Sequence, residues 1–174
     1  DDLLLPGTLQ SFSQLADNKP IPDVLCGTEI IFHQEWNRLE RVTPPSFENN
    51  RRMWEHLVWH KPFPHLNLCW KKEFFKKYAS KLSENIPYSE DWDQAVMTAR
   101  GLLDSSGHYQ ATQDPTYLFR KEDSSLGWMQ TMDLKGKIYS YNQILKKQIS
   151  GFEYYFQSLR NIFRILRIRF GLLF

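Results

Sequence analysis

From Leu145 to Leu173 an apolar residue recurs at every third or fourth position, in the order Leu145, Ile149, Phe152, Phe156, Leu159, Phe163, Leu166, Phe170 and Leu173. Steps of four and three alternate without a break, a period that only an α-helix gathers onto one face. In heptad terms Ile149, Phe156, Phe163 and Phe170 take position a, while Leu145, Phe152, Leu159, Leu166 and Leu173 take position d. Phe is bulky for a, and Tyr155 and Ile162 at g widen the stripe, so a broad amphipathic helix fits better than an ideal coiled coil. The pattern predicts a long C-terminal amphipathic helix over 138–174, following a domain over 1–137.

Charge sets this tail apart. Between Asn142 and Phe174, six basic residues (Lys146, Lys147, Arg160, Arg164, Arg167 and Arg169) stand against one acidic residue, Glu153, a net +5. The whole chain is only +2, so the remainder is −3 and could offer an acidic surface of its own. Ile165 and Ile168 lie outside the seam and make the last turns apolar over much of their circumference. Gly151 and Gly171 each weaken an isolated helix by about 1 kcal/mol relative to Ala, which leaves packing to hold it. Three roles suit such a helix. It folds back and closes the core; it docks another protein or a second copy through Phe152, Phe156, Leu159, Phe163, Leu166 and Phe170; or it lies on an anionic membrane surface.

The rest of the chain predicts shorter elements. Thr8 is placed to cap a helix with Leu9, Phe12, Leu15 and Ala16 on one stripe, stopped by Pro20 and Pro22. Ile31, Phe32, Trp36 and Leu39 keep helical spacing as far as Pro44-Pro45, although β-branched Ile30 and Ile31 leave a strand open. Ser46 offers a cap for a helix carrying Met53, Trp54, Leu57 and Val58, and a further helix is predicted over 66–82. Trp92, Ala95, Val96, Ala99, Leu102 and Leu103 predict the clearest helix, between Ser89 and Gly107. His108–Thr112 and Thr116–Arg120 flank Gln113-Asp114-Pro115 and read as a β-hairpin at about 108–120, with a loop over 122–137.

These elements sum to a mainly α fold: a helical domain, a small hairpin and the long final helix. Helices followed by a hairpin also occur in winged-helix modules, an analogy of fold that leaves function open. No motif identifies a family. At 174 residues the chain is one domain's length. Aromatic residues make up 15% of it, enough to build a core or an interface from rings. Cys26 and Cys69 read as buried free thiols, because two cysteines do not make a disulfide framework. No apolar run is long enough to span a bilayer, and Asp1-Asp2 is not the basic start of a signal peptide, so an intracellular setting, cytoplasmic or nuclear, is expected. A start at Asp1 is expected of a processed product or a piece of a longer chain.

Candidate chemistry is sparse. His56 and His60 are four apart on a predicted helix, with His65 and Cys69 close behind and Cys26 or His33 in reserve, a ligand set that could converge on zinc. Leu57 stands where a zincin carries its Glu, and no CxxC anchors the site. Histidines in a helix's last turn also suit its dipole. Cys26 beside a histidine could serve as a nucleophile, but buried cysteines are usually inert. The eight glycines form no phosphate loop, and Glu90, Asp91 and Asp93 read as residues of a helix start. Arg51, Arg52, Lys71, Lys72, Lys76 and Lys77, with rings interleaved, form a candidate nucleic-acid surface. The expectation is a non-enzymatic interaction or assembly module without a cofactor, with a nucleic-acid-binding winged-helix-like protein as the alternative.

Overall fold

The computed structural model describes residues 3–60, 67–80, 89–121 and 133–170. Its centre is strand β2, Val24–His33, whose run VLCGTEIIFH is rich in the residues a buried strand favours. Strand β5, Tyr109–Lys121, lies parallel to β2 along one edge. The opposite edge of β2 is shared: β4, Leu68–Trp70, pairs with its beginning and β3, Arg38–Val42, with its end, both antiparallel. A two-residue β1, Leu3–Leu4, closes the sheet against β5. Parallel pairing needs a crossover, and the segment between β2 and β5 supplies it, with helices α2 (Asn50–His60), α3 (Lys72–Phe74, continued by a π-turn over Phe75–Ala79) and α4 (Glu90–Ser105). A short α1, Thr8–Ala16, precedes β2.

The fold is therefore α/β, with a mixed five-stranded sheet, and not a mainly α domain with a small hairpin. The expected hairpin at 108–120 is one continuous strand. Pro115 has no N–H to give a ladder, and the register with β2 shifts on either side of its partner Thr28, so the extra backbone is taken up as a bulge. The local turn chemistry is real: the Thr112 hydroxyl accepts from the Asp114 amide at 3.0 Å, and the Arg41 guanidinium donates to the Gln113 carbonyl. A turn signal here bends a strand that is held on both sides, and does not reverse it. Likewise the helix expected from Thr28 is the β2–β3 hairpin, turned at Asn37 in the left-handed region (φ 44). The helix expected over 66–82 is divided between β4 and α3.

The core lies on the helical side of β2. Val24 and Cys26 meet Met53, Leu57 and Val58 of α2 and Trp92, Ala95, Val96, Ala99 and Leu102 of α4. Helices α2 and α4 run antiparallel: Asn50 Nδ2 donates to the carbonyls of Leu102 (2.9 Å) and Gly107 (2.8 Å), while at the other end Trp92 Nε1 donates to the Leu57 carbonyl (2.7 Å). Asn50 thus ties the start of α2 to the C-terminal end of α4, adding a side-chain donor to the Leu102 carbonyl, which already accepts from the Ser106 and Gly107 amides.

The tail is two helices. α5 spans Leu134–Gln148, capped by Asp133, whose carboxylate accepts from the amides of Lys135 and Gly136. α6 spans Gly151–Phe170. Ile149 is extended and Gly151 sits at φ +64, a conformation that glycine enters without a Cβ penalty, so the expected single helix over 138–174 is broken there. Ser158 Oγ donates to Asn142 Oδ1 at 2.7 Å, sixteen residues apart, which makes α5 and α6 an antiparallel hairpin. Among the described residues no helix is long and apolar enough to cross a membrane.

Candidate functional site

Breaking the tail at Ile149–Gly151 divides its apolar seam between two environments. The first part goes inside: Ile144 and Leu145 are fully buried and Ile149 nearly so, with Tyr141 meeting Trp92 edge to face at 4.9 Å. Trp54 Nε1 donates to Gln148 Oε1 at 3.1 Å and fastens the end of α5 to α2. The second part goes outside. Phe152 is 83% exposed, Tyr155 68%, Phe156 54%, Leu159 56% and Phe163 70%, while Gln157 and Asn161 on the same helix are 1% and 7% exposed. α6 turns Tyr154, Gln157 and Asn161 inward and its other rings outward.

The inward stripe has a specific anchor. Gln157 Nε2 donates to the Val58 carbonyl at 3.0 Å, near the C-terminal end of the described α2. Among the described residues, Gln157 Oε1 and Asn161 Nδ2 nevertheless remain buried without a hydrogen-bond partner. Each such group costs about 1–3 kcal/mol relative to a satisfied one. Large apolar side chains in water add nothing to offset that cost. The stability of the isolated chain therefore does not account for this face, and departures of this kind concentrate at functional sites. Phe152 and Phe156 lie with ring centroids 6.5 Å apart, so the ridge begins as a ring pair. Beside it Arg160 is exposed, as are Lys146 and Lys147 in the last turn of α5. Of the expected docking residues, the structure gathers Phe152, Phe156, Leu159 and Phe163 on one outward face; the side chains of Leu166 and Phe170 lie outside the described residues.

The cationic set is dispersed. Arg51 and Arg52 both bind Glu55, each at 3.0 Å, and the Arg51 guanidinium foremost holds the Glu55 carboxyl below its ordinary range. Lys71 is 3.8 Å from Asp23, and the Lys77 ammonium lies 4.9 Å from the Tyr78 ring centroid. Lys72 and Lys76 are exposed on the α3 segment, apart in sequence from the α2 arginines. The wing that the winged-helix analogy places at 108–120 is instead part of strand β5. An open groove of about 920 Å³ lies between α2 and the start of α6, lined by Phe47, Arg51, Arg52, Glu55, His56 and Glu153 among others.

The metal set does not assemble among the described residues, where no group of three or more His, Cys, Asp or Glu side chains is placed to hold an ion. His56 packs on Phe47 with centroids 5.4 Å apart, and Cys69 is exposed and not buried as expected. His65 and the His60 side chain lie outside the described residues. Cys26 is a poor nucleophile: burial pushes its thiol up to about 12, against the opposing hydrogen bond with Tyr109, and Glu29 adds to the rise. Burial also raises the Tyr109 hydroxyl well above its ordinary range. One thiol per native chain, Cys69, is expected to react with a disulfide reagent at pH 8, and Cys26 only after unfolding. Two fast equivalents in a stopped-flow thiol assay would contradict this burial.

No protein-family model matches the chain, and no curated protein matches it.

What the sequence did not reveal is which way α6 faces. Gln157 and Asn161 are four apart and opposite the rings, so any wheel drawn from sequence alone places them in water.

Proposed function

We propose that this protein is a non-enzymatic association module whose docking surface is the outward aromatic face of α6. The observation that carries the reading is the inversion of that helix: Phe152, Tyr155, Phe156, Leu159 and Phe163 in solvent, Gln157 and Asn161 buried. Contiguous exposed apolar surface marks contact with a partner or a membrane. Aromatic side chains bring large area at small entropic cost, which suits them to that role. The α/β domain beneath acts as the rigid mount, gripping α6 through the Gln157–Val58 and Ser158–Asn142 hydrogen bonds. An intracellular setting belongs to this reading, supported by Cys26 and Cys69 forming no disulfide, with Cys69 exposed.

The test compares the full chain with a Phe156→Asp/Phe163→Asp variant by size-exclusion chromatography of extracts from cells producing each. Both side chains point to solvent, so the variant is expected to melt with the parent. The parent should elute in large assemblies or with membranes, and the variant should shift to the position of a free chain. If both elute as free chains, or both remain in the same large fractions, the aromatic face is not the docking surface.

A further inference from the structure

We infer that the surface on which α6 docks is an anionic phospholipid bilayer, the helix lying along it with Phe152, Phe156, Leu159 and Phe163 turned toward the acyl chains. This rests on the docking reading and names its occupant. Side chains 54 to 83% exposed on one helix stand out as a ridge. A protein partner must offer a groove matched to each ring, whereas a bilayer deforms around any of them.

The charges select among occupants. Arg160 stands exposed next to Leu159, and Lys146 and Lys147 stand exposed immediately before the helix. Long basic side chains beside an apolar face reach up to phosphate level while their stems stay in the interface. The exposed Tyr155 adds a ring with a polar tip, the side chain that favours the headgroup boundary. The sequence from Arg164 to Arg169 adds three more arginines and no acid, and Glu153, the one acidic residue of α6, sits in its first turn where the helix dipole favours it. A second copy is a poor occupant by the same accounting, since a two-fold contact would press this basic hairpin against itself. The inward stripe fixes the attitude: with Gln157 and Asn161 packed against the domain, only the opposite side of α6 is free to enter a membrane. The helix is not apolar enough to cross one, so it lies on the surface, with the domain held above the plane.

Sedimentation of the full chain with vesicles tests this, using phosphatidylcholine alone and an equal mixture of phosphatidylcholine and phosphatidylserine. Binding to the anionic vesicles is expected, falling with added salt, with little binding to the neutral ones. Lys146→Gln and Arg160→Gln should each weaken it roughly fivefold, and Phe156→Asp/Phe163→Asp at least about tenfold. All of these variants should melt with the parent, since they change exposed side chains. Absence of binding to anionic vesicles, equal binding to neutral ones, or indifference to the Phe156→Asp/Phe163→Asp pair would overturn the assignment. If vesicle binding is absent while the assemblies in extracts still depend on Phe156 and Phe163, the lipid fails as occupant, the docking reading stands, and an acidic protein groove takes the lipid's place.

Discussion

Gly27→Ala is expected to remove about 3–5 kcal/mol of folding stability, the sum of overpacking a core and disturbing buried hydrogen bonds. A Cβ at Gly27 would lie 1.8 Å from Thr116 Oγ1 and 2.7 Å from Thr116 Cβ, where β2 and β5 meet at the bulge. Thr116 has nowhere to retreat: it is fully buried, its hydroxyl bonds the Thr28 carbonyl at 3.2 Å and Asn67 Oδ1 at 2.9 Å, and its own carbonyl accepts from Thr8 Oγ1 at 2.7 Å. One added methyl therefore strains the junction of β1, α1, β2 and β5 together. Urea unfolding would read the loss as a lower midpoint. Thr116→Ala in the same chain should recover part of it, because it removes the nearest atoms of the clash, so the double variant should be more stable than the two single losses predict. Gly151→Ala supplies the contrast: its Cβ meets nothing within 4 Å, but φ is +64, and the cost should be about 1–2 kcal/mol of backbone strain. A Gly27→Ala protein that unfolds with the parent would mean that β2 and β5 are not in this register.

The two halves of the tail should respond to truncation in opposite ways. Ile144→Ala, at a fully buried position in α5, is expected to cost about 2–5 kcal/mol by loss of transfer energy and creation of a cavity. Phe156→Ala, which removes a larger side chain from α6, should stay within about 0.5 kcal/mol, because that ring is already more than half in water. Denaturant midpoints of the two variants settle the orientation of α6 without reference to any partner. Equal losses would place Phe156 in the core and withdraw the surface on which the functional proposal stands.

Some features were legible because local rules decide them. α4 reads directly from Trp92, Ala95, Val96, Ala99 and Leu102, since one wide apolar stripe gives the same answer wherever the helix packs. The helix carrying Met53, Trp54, Leu57 and Val58 is present as α2, with Asn49 accepting from the Arg52 amide at its start. At β2 the helical period of Ile31, Phe32, Trp36 and Leu39 competes with the strand that Ile30 and Ile31 leave open, and the strand prevails because it is defined by pairing with β5, some eighty-five positions away in sequence. The Asp114-Pro115 signal does not reverse the chain for a related reason: Pro115 pairs with Thr28 of β2, and β1 pairs with Tyr117 and Leu118 just beyond it. Thr8 was expected to cap α1 but sits in its first turn, its hydroxyl donating to the Leu5 and Thr116 carbonyls.

By itself the sequence determined that the tail is helical and amphipathic, that its basic charge contrasts with the rest of the chain, and that aromatic residues dominate its apolar side. Those properties follow from spacing and residue type, which no tertiary contact alters. Only the tertiary structure decided that the seam breaks at Gly151, that Leu145 and Ile149 go to the core, and that Phe152, Phe156, Leu159 and Phe163 go to solvent. A helix has two sides and its sequence names them, but which side meets the domain depends on what the domain offers. Here that is a carbonyl near the end of α2 reaching for Gln157.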